Sequence, residues 1–550
     1  RGGGSPNCAI DFSPVANPTF FCPDESVAFG NVNIGQMKTI DLQVINTGSE
    51  DCTVGAINFG SLTSSAFTYS SPTLPGIIPV NESRIISVNF EPTPPSGNNP
   101  FEEIPFLCGT NTLNLTVNSG PDGMLAQESV ALSGRGTRPD IDVIPGELDF
   151  GLVTVGCCSE WKDVRIYNSG DGDLTINDVS IVAGSSPGFE TTQPTGNVVV
   201  PNSSTEFRAR FCATEVGEAS GIIEIASTDD NEEYFTVPMR GEGTLDNLGL
   251  DEFQQPLRPM VDVLWAIDDS GSMSEEQQNL ANNFENFIDT ATSLDTDYHM
   301  GVVNTDSESE WAGKLYACSG NPLWIDDSQS VAEQRSQFQC NVKVSDSGRP
   351  GSDSKESPLQ AARMALDYPN IDDHNAGFYR EEAKLYVILV TDEEDQSDGT
   401  PQLYVDYFRN LKGVGNPDLL NISAIAGPPP GGCDTAEGNQ VDYDAVDAVG
   451  GQFRSICSAD WADLISSLGL DVFNARRQFP LSRPATQDSI TVTICEDDGN
   501  GNPVNCQPVA YDASNGWSFD PVTNSIVLNG SAIPGPGEHI RVDYEAACFE

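Results

Sequence analysis

The chain has 550 residues, with 82 Asp and Glu against 26 Lys and Arg and a formal net charge of -56. A surface so negative repels nucleic acid and anionic lipid, which proteins grip through Lys and Arg, so those partners are excluded. At ~100–200 residues per domain the length allows three to five domains, and no apolar run reaches the ~18 residues that a membrane-spanning helix needs.

Residues 1–245 read as β structure. The start, Arg1-Gly-Gly-Gly-Ser-Pro6, has the look of a processed end or a linker. Thr39–Ile45 alternates apolar and polar residues and stops at Asn46-Thr47-Gly48; Asp163–Tyr167 does the same and stops at Asn168-Ser169-Gly170. This is the period of half-buried strands closed by turns. The region also repeats. Val27-Ala-Phe-Gly30 returns as Leu148-Asp-Phe-Gly151, Asn46-Thr-Gly48 as Asn168-Ser-Gly170, and Leu132-Ser-Gly-Arg-Gly136 as Met239-Arg-Gly-Glu-Gly243. Two copies follow, 1–137 and 138–245, with extra length in the first around Pro92–Asn118. The Phe-Gly strand, Asn-x-Gly and closing Gly-x-Gly together resemble immunoglobulin-like modules of the Hydin-like (ASH) type, which recur in bacterial secreted and surface proteins.

A polar stretch, 246–259, reads as a linker, and the texture then changes. Over 260–478 apolar runs alternate with helical patterns, as in a parallel α/β sheet. Val261–Ile267 predicts a buried strand. Ser272-x-x-Glu275 and Ser274-x-x-Gln277 offer capping-box spacing before a helix with Leu280, Phe284, Phe287, Ile288 and Ala291 on one face. Strands are predicted at Tyr298–Asn304, Leu385–Thr391 and Ile422–Ile425. Helices are predicted at Pro358–Asp367, Gln402–Leu411 and Trp461–Val472. Residues 479–550 revert to β alternation, with Glu496–Asn502 as the turn of a hairpin.

Asp268-Asp269-Ser270-Gly271-Ser272 lies directly after a buried strand and before a capped helix. That is the carboxyl edge where open α/β sheets place ligands, and hard oxygen donors suit Mg²⁺ or Ca²⁺. The loop resembles that of von Willebrand factor A and integrin I domains, whose metal-ion-dependent adhesion site uses Asp-x-Ser-x-Ser, a hydroxyl from a second loop and an Asp from a third. On that resemblance Asp268, Ser270 and Ser272 match the first loop and Asp392 the third. Ser357, or Glu356 beside it, stands where the family has a threonine. The implied cofactor is a divalent cation, Mg²⁺ or Ca²⁺. The implied fold class is multidomain: two all-β immunoglobulin-like sandwiches, then an α/β doubly wound (Rossmann-like) von Willebrand factor A domain with a small β extension.

Fourteen cysteines include three local pairs, Cys318 with Cys340, Cys433 with Cys457 and Cys495 with Cys506, while the adjacent Cys157 and Cys158 leave connectivity open. With no Cys-x-x-Cys and only three histidines, disulfides in an oxidising compartment fit better than zinc. The Cys318–Cys340 segment is expected to form a rim over the metal face. No nucleophile or general base accompanies the site, so a binding protein is expected rather than an enzyme. It would be secreted or displayed on a bacterial surface, gripping an acidic partner group through the metal. The alternative is a structural subunit of an extracellular filament, sheath or surface layer, assembled from copies of itself, in which the metal is structural.

Overall fold

Two copies of one nine-strand plan occupy the amino-terminal half. The first comprises β1 (Ile10–Ser13), β2 (Ser26–Asn33), β3 (Lys38–Asn46), β4 (Cys52–Phe59), β5 (Phe67–Ser70), β6 (Gly76–Ile78), β7 (Ser83–Phe90), β8 (Thr112–Asn118) and β9 (Leu125–Thr137). Its two sheets run β1-β3-β7-β5 and β2-β9-β8-β4-β6. The second comprises β10 (Ile141–Ile144), β11 (Leu148–Thr154), β12 (Lys162–Asn168), β13 (Leu174–Ile181), β14 (Phe189–Thr191), β15 (Val198–Val199), β16 (Ser203–Phe211), β17 (Gly217–Ser227) and β18 (Tyr234–Thr244). Its orders, β10-β12-β16-β14 and β11-β18-β17-β13-β15, repeat the first strand for strand. This computed structural model describes residues 8–13, 26–93, 111–118, 125–293, 295–318, 320–344, 355–472 and 476–549. The Arg1–Pro6 start and most of the Pro92–Asn118 stretch lie outside them.

The repeated motifs have physical work to do. In both copies the parallel pairing of the second and ninth strands slips at the Phe-Gly step, between Ala28 and Asn31 and between Asp149 and Leu152. Gly30 and Gly151 take φ of 68° and 59° there, a left-handed conformation that a bulge demands and glycine supplies. The phenylalanine before each is driven into the core. The Asn-x-Gly corners are also alike. Asn46 Nδ2 donates to Ile78 O (2.8 Å) and Glu50 O (2.9 Å), and Asn168 Nδ2 to Val199 O (2.8 Å) and Gly172 O (2.7 Å). Each Asn Oδ1 accepts the N–H of the glycine two residues on.

Residues 248–254, whose polarity reads as a linker, form β19 (Leu248–Gln254). A six-stranded sheet follows, built from β20 (Met260–Ile267), β21 (Asp297–Asn304), β22 (Ile325–Asp326), β23 (Lys384–Val390), β24 (Leu420–Ala426) and β25 (Phe453–Ser455). Its order is β22-β21-β20-β23-β24-β25, parallel except for β22 at the edge. The helices are α1 (Ser274–Ser293), α2 (Val331–Asn341), α3 (Pro358–Ala365), α4 (Pro401–Lys412), α5 (Gln440–Val449) and α6 (Trp461–Val472). Alternate residues of β20 serve opposite faces. Val263 and Trp265 join Leu280, Phe284, Leu464 and Ile465 of α1 and α6, while Leu264 and Ala266 join Leu359, Leu403, Phe408 and Ala445 of α3, α4 and α5. The chain then returns to β in β26 (Gln478–Pro480), β27 (Thr491–Asp497), β28 (Pro503–Pro508), β29 (Trp517–Asp520), β30 (Ser525–Leu528) and β31 (His539–Glu545). These give sheets β19-β31-β27-β28 and β26-β30-β29.

The expected fold class is therefore corrected. Strands make up 43% of the structure and helices 17%, spread over seven sheets. That β-rich whole does not fit the Rossmann-like α/β von Willebrand factor A domain on which the expected fold class turned. Among the described residues the helical patterns between 274 and 472 amount to six α-helices against one sheet, whereas β pairing continues on both sides and claims the supposed linker as well. The Cys318–Cys340 segment is corrected too. Its helix α2 packs into the core, with the Phe338 ring 3.6 Å from that of Phe284 and 5.5 Å from that of Trp265, because its apolar side chain buries more surface there than over an acidic edge.

Six disulfides are present among the described residues. Cys318–Cys340, Cys433–Cys457 and Cys495–Cys506 close local loops, and Cys8–Cys52 lies within the first β unit. The adjacent pair divides its labour: Cys158 bonds Cys212 within the second unit, and Cys157 bonds Cys548, 391 residues away. Polar contacts reinforce that clamp. Arg483 donates to Leu152 O, Thr154 Oγ1, Asp246 O and Leu248 O at 2.8–3.2 Å. Arg363 of α3 pairs with Asp142 at 2.6 Å, and the Tyr167 hydroxyl donates to Asp406 Oδ2 of α4 at 2.6 Å. Among the described residues no helix is long and apolar enough to cross a membrane.

Candidate functional site

Three loops meet at the carboxyl edge of the parallel sheet, after β20, β21 and β23. Asp268 is fully buried where β20 ends. Its Oδ1 accepts the Ser270 N–H (2.7 Å) and its Oδ2 the Thr391 hydroxyl (2.7 Å). Gln277 of α1 holds the Asp268 carbonyl at 2.8 Å, fixing the strand end to the helix. From there a hydroxyl chain runs across the edge: Ser270 Oγ and Ser272 Oγ lie 2.8 Å apart, and Ser272 Oγ donates to Asp392 Oδ1 at 3.2 Å. Asp268, Ser270, Ser272 and Asp392 are thus brought together.

Glu356 and Ser357 sit differently. The Thr305 hydroxyl, one residue past β21, donates to Glu356 Oε2, and the Ser357 N–H donates to Thr305 O at 3.0 Å. Ser357 stands at the amino end of α3 with its Oγ buried and unpartnered. It joins neither Asp268 nor Asp392.

Electrostatically the edge is one-sided. Burial, and then the neighbouring Asp268, push the Glu356 carboxyl up to about 9. Burial leads the upward shifts of Asp268, Asp269, Asp392 and Glu393 as well, and no Lys or Arg figures among the groups that perturb them. Glu276 of α1 adds to the repulsion at Asp392, and its Oε2 is buried without a partner. The loop closed by Cys433–Cys457 flanks the site, with the Glu437 N–H on Asp392 O at 2.8 Å.

The acidic run after Asp392 is not uniformly solvated. Asp398 pairs with Lys355 at 2.9 Å. Asp395 turns inward, accepts the N–H groups of Ser397 (2.7 Å) and Leu359 (3.2 Å), and meets Asp442 of α5 in a wholly buried carboxyl pair.

Here the family resemblance is overturned. Among the described residues no group of three or more His, Cys, Asp or Glu side chains is disposed to hold a metal ion, and no von Willebrand factor A-type fold is evident. The reason is local. Asp268 spends both oxygens on Ser270 and Thr391, Glu356 turns to Thr305, and the Ser357 hydroxyl engages nothing, so six expected ligands become a hydrogen-bonded chain of four and a separate pair. Thr305, Thr391 and Glu276 were not singled out from the sequence, and Gln277 was read there only as a capping-box residue, not as the anchor of the Asp268 carbonyl. The signal for the two threonines was available: each is a hydroxyl at the end of an apolar strand on the same edge as Asp268.

Neither a family model nor a curated protein matches the sequence. No family is shown. Among solved structures, a protein of unknown function from Porphyromonas gingivalis W83 is 16% identical, over 42% of this chain and 99% of that one, with a TM-score of 0.17. Proximal thread matrix protein 1 from the mussel byssus is 12% identical, over 39% and 48%, with a TM-score of 0.27. The ASH/PapD-like domain 7 of human CEP192 is 9% identical, over 20% and 88%, with a TM-score of 0.17. Likeness at this level carries no argument about function.

Proposed function

We propose that the carboxyl edge of the parallel sheet is a cation-dependent binding surface on a secreted or surface-displayed protein. The observation that carries this reading is the uncompensated charge. Asp268, Asp269, Asp392 and Glu393 crowd one edge around Glu356, whose carboxyl is pushed up to about 9, and among the described residues none of the five forms an ion pair with Lys or Arg; Lys355, next to Glu356, pairs with Asp398 instead. The donors fit a hard divalent ion: carboxylate and hydroxyl oxygens, two of them, Ser357 Oγ and Glu276 Oε2, buried and unpartnered. As the loops stand these groups satisfy one another, so Ca²⁺ or Mg²⁺ would have to displace the Thr391 hydroxyl from Asp268 and the Ser272 hydroxyl from Asp392; Asp268, Asp392, Ser270 and Ser272 would then hold the ion, with Glu356 and Ser357 flanking. The ion would supply positive charge to which a partner's carboxylate is drawn. The protein's own groups hold the loops in register: Gln277 anchors the first, Thr391 ties the first to the third, and the Glu437 N–H steadies Asp392. The disulfides support an oxidising, extracellular setting.

Calorimetric titration of the full chain with Ca²⁺ and Mg²⁺ tests the reading. We expect saturable binding that Asp268→Ala abolishes, and attachment to a carboxylate-bearing surface that chelation removes. Attachment that survives chelation refutes it.

A second reading, a self-assembling structural subunit, rests on one observation. Every residue of β28 is exposed at the edge of its sheet, which leaves a row of backbone groups open to strand addition. Monodisperse monomer by light scattering at high concentration counts against it.

A further inference from the structure

At the opposite, amino-terminal edge of the parallel sheet lies a cleft of about 180 Å³. It opens between the start of β20, the turn before β24 and the Pro534–Pro536 loop of the carboxyl-terminal β unit. Pro256, Pro259, Met260 and Leu419 give it apolar walls. Lys384 and Arg476 line it with positive charge and Glu382 and Asp418 with negative. These pairs of opposite sign share one small space, unlike the uniformly acidic edge above.

Two features suit a polar ligand. Gln255 lines the cleft and is 5% exposed. Its backbone is pinned on both sides, the N–H to Glu538 O and the carbonyl by the Gly537 N–H, both at 2.9 Å. Its Nε2 donates to Arg476 O at 3.3 Å, yet its Oε1 is buried with no partner. A buried acceptor without a donor is costly, and a ligand N–H removes that cost. The second feature is Arg476. Its guanidinium donates only to neutral oxygens, those of Gln478 (2.9 Å) and the Asn416 side chain, and forms no ion pair among the described residues. Burial pulls its pKa below the usual arginine value, and Asp418 offsets only part of that. A half-buried guanidinium in this state attracts a carboxylate, the group its planar fork fits best.

We infer that this cleft binds a small zwitterion, an α-amino acid with an aliphatic side chain. The carboxylate goes to Arg476, with Lys384 alongside. The ammonium donates to Gln255 Oε1 and faces Asp418 and Glu382. The side chain lies against the prolines and Met260. A simple anion meets the two carboxylates and a simple cation the two basic groups, so the mixed lining selects a molecule carrying both charges. The volume admits one residue rather than a peptide. Nothing in this inference depends on the acidic edge, so the two stand or fall separately.

The test is titration of the full chain with L-leucine, followed by calorimetry and by ligand-observed NMR. L-Leucine should bind saturably. N-Acetyl-L-leucine, which lacks the ammonium, and L-leucinamide, which lacks the carboxylate, should each bind about tenfold more weakly or worse, the effect of one lost charge-assisted contact. Met260→Trp should fill the cleft and abolish binding. Glu382→Gln, on an exposed side chain, should weaken it with the fold intact by circular dichroism. No binding of L-leucine at millimolar concentration overturns the assignment, and so does binding that Met260→Trp and Glu382→Gln both leave unchanged. N-Acetyl-L-leucine binding as tightly as L-leucine overturns it in favour of a chain terminus as the natural occupant.

Discussion

The two amino-terminal β units share a strand order, a Phe-Gly bulge and an asparagine corner, yet they are held in different ways. The first touches the rest of the described molecule through the second: Asn33 Nδ2 reaches Asp173 O at 2.7 Å, and Arg135 pairs with Asp171 at 2.8 Å between half-exposed side chains. The second is bolted to its neighbours by Cys157–Cys548, by Arg483, and by the Asp142 and Tyr167 contacts to α3 and α4. One design thus serves as an outboard module in one place and as a brace in the other. What separates them is the residues on the outward faces, not the core. The brace also reaches the candidate site, since Arg363 lies on the helix that Ser357 begins and Asn202 Oδ1 accepts the Gly399 N–H at 3.1 Å from the loop that follows Asp392.

The largest test of this contrast is the paired substitution Asn46→Ala and Asn168→Ala. Each removes two donor bonds made by a buried side chain, a loss of about 2–4 kcal/mol. By calorimetry Asn46→Ala should lower a separate transition of the first unit, whereas Asn168→Ala should lower the one that includes the parallel sheet. If both shift a single common transition, the two units are not held differently. Next comes Cys157→Ser with Cys548→Ser, expected to cost about 2–3 kcal/mol in denaturant unfolding of the parallel-sheet region and to leave the first unit alone. Cys8→Ser with Cys52→Ser should do the reverse.

A smaller effect is expected for Asp142→Asn, which breaks a largely buried pair and should cost about 1–2 kcal/mol, with faster amide exchange in α3. Its counterpart Arg135→Gln in the exposed junction should cost about 0–0.5 kcal/mol. The smallest is a pH effect confined to the braced half. Burial raises both Asp395 and Asp442 above the ordinary value of 3.8, so the folded state keeps a proton that the unfolded chain releases. Stability of that half should therefore fall as pH rises above about 4. Asp442→Asn replaces the shared proton with an amide N–H and should flatten the fall, measured as melting temperature against pH. A slope unchanged by Asp442→Asn would place the proton elsewhere.

Much of the local structure could be read from the residues, because local chemistry decides it. Glycine after Phe29 and Phe150 marks a bulge, asparagine before glycine marks a corner, and Cys495 and Cys506 flank a turn rich in Gly and Asn. What was not legible depends on distant partners. Nothing near Cys157 says that its partner is 391 residues on, and the polar Leu248–Gln254 segment became a strand only because β31 pairs with it. The candidate site shows the same division. A strand-loop-helix pattern placed Asp268, Ser270 and Ser272 at the carboxyl edge and the resemblance added Asp392, but neither could show that Thr391 and Thr305 would claim the carboxylates of Asp268 and Glu356. Nor could composition announce the β-rich whole that displaced the expected fold class.

The bond between Cys157 and Cys548 has a mechanical meaning. Tension that enters through the first β unit and leaves near Cys548 passes across a single sulfur–sulfur link. The residues between the two cysteines form a closed loop outside that line of force, so the parallel sheet with both its edges hangs slack beside a loaded tether. Under reducing conditions the same pull would run straight through the sheet.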